Sequence, residues 1–304
     1  MTALLQASIS GLAVGGSYAL IALGFSLTFT TTRTLNFAQG DFVSVGAFLG
    51  LSAVLLSSSP LAGGISGAAI AGWVPLLAIF AAAAGMGLIG AALYRLAIRP
   101  FAGKPGMSWV MSSIGFGIIL QSAGLAAWGP GTVMVPAPFG DGIIRMFGAG
   151  VRLQELLVLL TALVAATVFE IVMRWTVAGK AMRAVAHDPA TARLMGIPVE
   201  AYMAGAFVAS SALAGLSGIL IAPITGASLY MGLGIALKGF SSAIVGGLTN
   251  PRGCVLGGLL LGLTESWINL WQAQWREIVV FLGVIIVLGL KPSGLWGAKV
   301  VEKV

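Results

Sequence analysis

The strongest constraint on the fold is a series of long apolar runs that recurs along the chain. Residues 4–29, 71–96, 108–128, 153–173 and 201–222 each approach or exceed the ~20 apolar residues that a helix needs to cross a membrane. Only 8% of the residues are charged, whereas a soluble domain carries about 25%. Because a segment inside lipid must satisfy its own backbone hydrogen bonds, these runs predict an all-α, polytopic integral membrane protein.

Shorter apolar segments make the number of crossings less definite. Residues 42–56 and 236–248 each predict either a full crossing or a half-helix, and residues 254–271 and 278–290 predict two further helices. We therefore expect one transmembrane domain over residues 1–304, a helical bundle of roughly eight to nine segments with short or discontinuous helices. The first run has no basic residue before it and is too long for a signal peptide, so we expect it to be retained.

The net charge of +7 is better explained by membrane topology than by a nucleic-acid partner. The basic residues lie in short connections between apolar runs, and such connections are typically cytoplasmic. We assign to that side one connection near residues 95–104, a second at about residues 174–200, and the end of the chain. The basic residues of the first connection and of the tail are Arg95, Arg99, Lys104, Lys291, Lys299 and Lys303. The prediction is a multi-pass inner-membrane protein with a cytoplasmic C-terminus, in contact with membrane lipid and with no nucleic acid.

Glycine spacing predicts how the helices pack. The chain contains 44 glycines among 304 residues, about twice the usual share, and small residues let helix backbones approach closely in lipid. The relevant pairs are Gly11/Gly15, Gly46/Gly50, Gly253/Gly257 and Gly258/Gly262. The single cysteine, Cys254, lies in an apolar run and is assigned to core packing.

The stretch GKAMRAVAHDPATARLMGI, residues 179–197, is the only long polar insert. Asp188 is a suitable N-cap, Pro189 suits the first helical position, and Gly196 with Pro198 provides a stop. The pattern predicts short helices at residues 180–186 and 190–195. Neither is long enough to be stable alone in water, so both must rest on the bilayer surface, on the parent helices or on a second protein. A plain polar connection is the alternative.

Polar residues near or within the apolar runs are candidates for a translocation pathway. Asn36, Gln39 and Asp41 have carboxamides and a carboxylate that can pass a polar solute along by transient hydrogen bonds. Alternatively, Asp41 caps a helix while the two amides satisfy irregular backbone. Lys238 and Glu265 form a second candidate pair, for which pairing inside the bundle is the alternative.

No catalytic, cofactor-binding or metal-binding residue is predicted. The phosphate-binding pattern of ATPases is absent, because Lys180 is followed by Ala181 and the required earlier glycine is replaced by Arg174. His187 is the only histidine, so it has no second histidine for a metal site or triad, and we expect it on an exposed loop. If transport needs ATP, another subunit must hydrolyse it.

Three stretches resemble the permease subunits of high-affinity branched-chain amino acid ABC importers of the LivH type. They are TLNFAQGDF at 34–42, the polar insert, and LKGFSSAIVGGLTNPRGCVLGGLLLG at 237–262. The resemblance implies a second homologous permease subunit, two cytoplasmic ABC ATPase subunits and a periplasmic substrate-binding protein as partners. It also implies that residues 174–200 form the coupling loop, with candidate contacts Gly179, Lys180, Arg183, Asp188, Arg193, Leu194 and Gly196. The chain departs from the family pattern in FVSVGAF after Asp41 and at His187.

The predicted function is translocation by alternating access. Leucine, isoleucine and valine are the cargo that the resemblance implies, with urea, short amides or aromatic acids as alternatives. An ion-coupled secondary carrier or channel is the rival from another class, and the charged residues Asp41, Lys238 and Glu265 keep it open. A membrane enzyme is the third possibility, for which the sequence offers no chemistry.

Overall fold

The computed structural model describes residues 2–58, 74–101, 107–135, 137, 142–146 and 149–297, and within them it is almost entirely helical. Eight of the described helices are long and apolar enough to cross a membrane, which confirms the predicted all-α, polytopic class. The α-helices are α1 (Thr2–Thr32), α2 (Gln39–Ser58), α3 (Val74–Leu93), α4 (Ser108–Trp128), α5 (Leu153–Trp175), α6 (Val177–His187), α7 (Pro189–Leu194), α8 (Val199–Thr225), α9 (Met231–Gly246), α10 (Pro251–Trp271) and α11 (Arg276–Leu290).

The structure distinguishes the two segments whose crossing was uncertain. Residues 42–56 belong to α2, which begins at Gln39 and is long enough to span. Residues 236–248 belong to α9, which has 16 residues and is shorter than the spanning helices. The sequence also placed the end of the sixth run before Pro223, and this was wrong. Helix α8 continues through Pro223 to Thr225, although the proline has no N–H to donate to the Ile219 carbonyl.

Several features of the sequence lie wholly or partly outside the described residues. These are most of the uncharged stretch rich in serine, glycine and proline at 57–67, Lys104 in the first basic connection, and Lys299 and Lys303 in the tail.

Between α4 and α5, the described residues include a small antiparallel hairpin of β1 (Ile143–Met146) and β2 (Ala149–Arg152). The connection between these two apolar runs therefore contains regular structure.

The glycine pairs bring the helix backbones together, as their spacing predicts. On α1, Gly11 and Gly15 lie directly against Gly258 and Gly262 of α10, and a β-carbon at any of the four would overlap the opposing helix. Gly46 of α2 fits against the backbone of α8 in the same way. Helix α1 consequently packs against α10 and α8, and α8 also packs against α2, at the centre of the bundle. Contacts between backbones hold them together, since lipid provides no hydrophobic drive.

Helix α3 ends irregularly. After Leu93 it passes through a π-helical turn, Tyr94–Ile98, and a 3₁₀ turn, Arg99–Phe101. Arg99 then forms an ion pair of 2.7 Å with Glu200 in the first turn of α8. The first basic connection therefore lies at the same end of the bundle as the polar insert, as predicted.

The start of α10 and the last described residues share that end. Glu170, near the end of α5, is paired with Arg252 in the first turn of α10. The Asn250 side-chain amide donates a hydrogen bond of 2.9 Å to the carbonyl of Trp296. The polar insert, the α9–α10 turn and residues 291–297 therefore form one polar end of the bundle.

Candidate functional site

The polar insert folds into two short helices, α6 and α7, joined at Asp188; we call residues 176–198 the α6–α7 segment. The Thr176 hydroxyl oxygen accepts from the amide of Gly179 at 3.0 Å and caps α6. Asp188 accepts from the amide of Ala190 at 2.9 Å and from the Thr191 hydroxyl, with Pro189 at the first position of α7. The predicted Asp188 cap and Pro189 position are thus confirmed, whereas the Thr176 cap was not predicted, and α6 begins three residues earlier than the sequence indicated.

The end of α7 also follows the prediction. Gly196 has φ of +79°, a left-handed conformation that glycine adopts without the steric cost of a side chain. Pro198 then precedes α8 directly. His187 is exposed as expected, although it ends α6 instead of lying on a loop. The segment therefore has defined starts and stops and is not a plain polar connection.

One face of the α6–α7 segment rests on the parent helices. Val185, Ala192 and Val199 are buried together, with Tyr202 and Met203 of α8 packed around them. Because this cluster joins α6, α7 and the first turns of α8, a force applied to α7 is transmitted to α8.

Gly179 attaches the start of α6 to the end of α5. It is buried, and a β-carbon there would overlap the carbonyl oxygen of Val172 and the backbone of Met173 at the end of α5. Glycine at this position allows α6 to turn back sharply against α5. The position was predicted as a contact to a partner, and the structure shows that it also has a packing role inside the chain.

The opposite face is open and partly apolar. Leu194 is 88% exposed and Met195 is 77% exposed at the tip of α7, beside Arg193, which is also exposed. Lys180 and Arg183 are exposed on α6. Two large apolar side chains next to cations form a surface suited to another protein, because aromatic residues, methionine and arginine are enriched at interfaces.

The surroundings of the Asp188 carboxyl group favour its ionised form. Three hydrogen bonds to the carboxylate hold the pKa of Asp188 below its ordinary value. The Thr191 hydroxyl has the largest effect, and the backbone amides of Ala190 and Thr191 add to it. Asp188 therefore stays ionised and caps α7 through the neutral pH range.

Asn36 and Gln39 belong to a buried hydrogen-bond network. The Asn36 amide donates to Gln39 Oε1 at 3.0 Å, and Asn36 Oδ1 accepts from the backbone of Ala38 at 3.1 Å. Gln39 Nε2 donates to the Ser210 carbonyl at 3.3 Å, and the Ser210 hydroxyl donates to the carbonyl of Gly24 at 2.9 Å. The network joins α1, the start of α2, and α8.

Asp41 lies apart from that network, although it is close in sequence. It occupies the first turn of α2, so the alternative that made it the N-cap was wrong; the helix begins two residues earlier, at Gln39. Its side chain is half-buried and lies against Gly117 of α4, where any β-carbon would overlap the carboxylate.

Lys238 and Glu265 form a second buried cluster, between α9 and α10. Lys238 Nζ lies 2.6 Å from Glu265 Oε1, and the Tyr18 hydroxyl donates to Glu265 Oε2 at 2.8 Å. Arg276, at the start of α11, approaches the same carboxylate at 3.2 Å. One carboxylate thus joins α1, α9, α10 and α11, and the pairing within the bundle that the sequence offered as an alternative is present.

Sequence reasoning missed Tyr18, Arg276 and Ser210. Each meets its partner across the fold, and 247 positions separate Tyr18 from Glu265. The available signal was a hydroxyl or guanidinium inside or beside an apolar run, which costs free energy unless it is paired. Gln121 also forms a cross-link, since its amide donates at 3.0 Å to the carbonyl of Leu229 in the connection between α8 and α9.

The eight apolar helices, the buried polar clusters and the capped α6–α7 segment at one end define a multi-pass membrane permease. The chain belongs to the family described as the permease component of branched-chain amino acid transport systems, whose model matches residues 8–288. It is 29% identical to the high-affinity branched-chain amino acid transport permease LivH of Escherichia coli K12, with 99% of this chain and 97% of LivH covered. It is also 29% identical to BraD of Pseudomonas aeruginosa, with 99% and 98% covered. Identity to a probable LivH of Methanocaldococcus jannaschii is 26%, with 91% and 88% covered.

These relatives establish the class predicted from the sequence. The chain is the permease of an ABC transport system, a translocation component and not an enzyme. Its multi-pass inner-membrane location follows from the same relatives and from the eight apolar helices.

Proposed function

We propose that this permease translocates leucine, isoleucine and valine that a periplasmic binding protein delivers. The names of the relatives support this cargo, because E. coli LivH and P. aeruginosa BraD are both described as high-affinity branched-chain amino acid permeases. Urea, short amides and aromatic acids are the alternative cargoes. In this proposal the chain pairs with a second homologous permease subunit, and two cytoplasmic ATPase subunits drive it.

The observation that carries the mechanism is the open face of the α6–α7 segment. Leu194 and Met195 are large, apolar and highly exposed at the polar end of the bundle. Large apolar side chains that are exposed together often mark a surface that another protein covers. We assign this face to an ATPase subunit, with Lys180, Arg183 and Arg193 as the surrounding cations. The polar end, including the C-terminus, is then cytoplasmic.

The attachments of the segment give a route from ATP hydrolysis to transport. Movement of the ATPase shifts α7, and the cluster around Val185 and Val199 passes the shift to α8. Helix α8 is tied to α3 by the pair of Arg99 and Glu200 and to α2 by the bonds between Ser210 and Gln39. Alternating access follows if these helices move together.

Asp41 is the best-placed pathway residue of the five proposed. It is half-buried and lies next to α4, much of whose surface faces outward from this chain, so a pathway shared with the second permease can reach it. Asn36, Gln39, Lys238 and Glu265 are buried, and their partners lie inside the bundle. For these four we propose a supporting role beside the pathway.

Replacing Leu194 with aspartate tests the docking. We expect the variant to fold normally and to retain the ATPase subunits at least about tenfold less tightly, because a buried interface anchor is lost. Ala201→Asp, at an exposed position in the first turn of α8, is the matched control. Copurification measured against ATPase concentration gives the result, and equal retention by both variants would contradict the proposal.

Transport energetics test the ATP-driven mechanism against the ion-coupled carrier that the sequence left as its rival. Vesicles that contain the full assembly should import labelled leucine only with internal ATP and external binding protein. Import that needs neither, and that stops when an ionophore collapses the proton gradient, would contradict the proposal. Glu265 accepts hydrogen bonds from Tyr18 and Lys238 and has Arg276 nearby, so a coupling ion would have to displace one of these groups.

A further inference from the structure

A cleft of about 740 Å³ lies between α1, α5, α6 and α10 at the polar end of the bundle. Its α5 wall runs from Leu163 to Arg174, and α6 contributes Met182 and Arg183. The cleft is separate from the buried clusters around Gln39 and Glu265, none of whose residues line it.

The inner part of the cleft is apolar and has the depth of one membrane leaflet. Leu163 and Arg174 are eleven positions apart on α5, and at 1.5 Å per residue this spans ~17 Å, about half of the 30 Å hydrocarbon core. Leu23 of α1 and Leu256 of α10 also line the cleft. An acyl chain can fill a space of this depth and apolar lining, whereas a small ion would occupy only its mouth.

The mouth of the cleft is basic. Arg174, Arg183 and Arg252 line it together with a single carboxylate, Glu170, so two positive charges are in excess. Arg252 Nε lies 2.7 Å from both oxygens of Glu170, and Arg174 Nε lies 3.1 Å from one of them. Within the part of the chain that the structure describes, no ion pair joins Arg183 to a carboxylate.

The start of α10 adds to the positive potential at this mouth. Asn250 is its N-cap, but the Asn250 amide is engaged with the Trp296 carbonyl and no side chain caps the helix. The first amides of α10 are therefore free of a side-chain acceptor, and a helix N-terminus favours anions.

We propose that the cleft binds one anionic phospholipid, whose phosphate lies among the three arginines and whose acyl chain lies along α5 toward Leu163. Phosphate is matched by the fork of the arginine guanidinium, and basic clefts between transmembrane helices are suited to lipid headgroups. The apolar depth selects a lipid over a free phosphate. The cargo does not enter this inference, and Arg183 is the one residue that the cleft shares with the proposed ATPase contact.

Native mass spectrometry of the full-length chain, released from nanodiscs of defined lipids, tests the proposal. The probes are phosphatidylglycerol, phosphatidylcholine with the same acyl chains, and inorganic phosphate. We expect one phosphatidylglycerol per chain, retained about thirtyfold more tightly than phosphatidylcholine because of the two excess charges, and no retained inorganic phosphate. Equal retention of the two lipids would overturn the proposal.

Matched variants separate the two ends of the site. Arg183→Gln should weaken retention of phosphatidylglycerol about fivefold, the effect of one charge at a lipid surface, whereas Lys180→Gln on the same helix should leave it unchanged. Leu163→Trp should fill the apolar end and abolish retention, whereas Leu160→Trp, outside the cleft, should not. Arg183 is exposed, so its variant keeps the test valid if Leu163→Trp does not fold.

Two other results would also overturn the proposal. Inorganic phosphate retained by both the parent and Leu163→Trp would assign the mouth to a free ion. Phosphatidylglycerol expelled when the second permease subunit is added would assign the cleft to an interface between subunits.

Discussion

The packed centre of the bundle and the α6–α7 segment differ in what stabilises them. In the centre, helices α1 and α10 meet through Gly11, Gly15, Gly258 and Gly262, and no space remains for a β-carbon. In the α6–α7 segment, caps and a small apolar cluster hold two short helices, and Leu194 at its tip stays highly exposed. The centre packs within the chain, whereas we propose that a partner covers the exposed face of the α6–α7 segment.

Because of this difference, we expect variants in the two regions to affect different properties of the protein. Changes in the centre should alter the free energy of unfolding and reduce transport only as folded protein is lost. Changes in the α6–α7 segment should leave the bundle folded and alter the response to ATP. The following variants test this separation, from the largest expected effect to the smallest.

Glu265→Gln should have the largest effect. It leaves Lys238 and Arg276 close together without the carboxylate that both approach, and breaking a buried ion pair from one side costs about 3–5 kcal/mol. Denaturant unfolding in mixed micelles measures the loss. The double variant with Lys238→Met and Glu265→Leu should recover only the part due to Lys238, because Arg276 and the Tyr18 hydroxyl still lack the carboxylate. Unfolding of Glu265→Gln at the parent's denaturant midpoint would show that the pair does not hold the helices.

Gly262→Val should destabilise the packed centre because its side chain overlaps α1. The added side chain meets the backbone of Gly11 and Gly15, and such overpacking costs about 1–3 kcal/mol. Gly283→Val on α11, where a β-carbon meets nothing within 4 Å, is the control. Size-exclusion chromatography and the same unfolding measurement report the result. Equal destabilisation by both variants would mean that valine propensity, and not the helix contact, is responsible.

Gly196→Val should affect the α6–α7 segment and spare the bundle. Valine is strained at φ of +79°, by roughly 1–3 kcal/mol, so α7 should lose its defined end. We expect ATPase activity to persist while leucine uptake by the assembly falls several-fold. Gly205→Val in α8, where a β-carbon has open space, should retain uptake. Normal uptake by Gly196→Val would count against the docking role of α7.

Asp188 variants should give the smallest change. Asp188→Ala removes the N-cap of α7 at a cost of about 1 kcal/mol, whereas Asp188→Asn keeps a capping oxygen and should change little. Hydrogen exchange of the α7 amides at a fixed neutral pH compares the two, and equal protection would contradict the capping role.

The pH dependence of the cap has a defined sign. Hydrogen bonds from Thr191 and from the backbone lower the pKa of Asp188 in the folded chain. The ionised cap therefore contributes stability above the ordinary aspartate pKa, and the contribution is lost as the pH falls through the lowered value. A carboxyl NMR titration should give a pKa for Asp188 below that of an unfolded peptide. A value at or above the peptide's would show that the cap does not favour the ionised form.

The sequence predicts local features well and contacts between distant residues poorly. Asp188, Pro189 and Gly196 specify caps and a stop within a few positions, so the α6–α7 segment follows from local rules. The glycine pairs predict close packing without naming their partners. Tyr18 and Arg276 were missed because their contact with Glu265 exists only after α1, α10 and α11 assemble. Residues 42–56 were hard to place because hydropathy does not include the polar first turn, Gln39 to Asp41, that lengthens α2.

The π-helical turn at Tyr94–Ile98 makes the end of α3 tolerant of a change in chain length. A wider turn accommodates one residue more than a regular helix does, and each residue of an α-helix rotates the chain by about 100°. Deleting a single residue within the π turn should convert it to regular α-helix and leave Arg99 directed at Glu200. The same deletion in the regular part of α3 should rotate Arg99 away from Glu200, so the π turn is where a length change in α3 is absorbed.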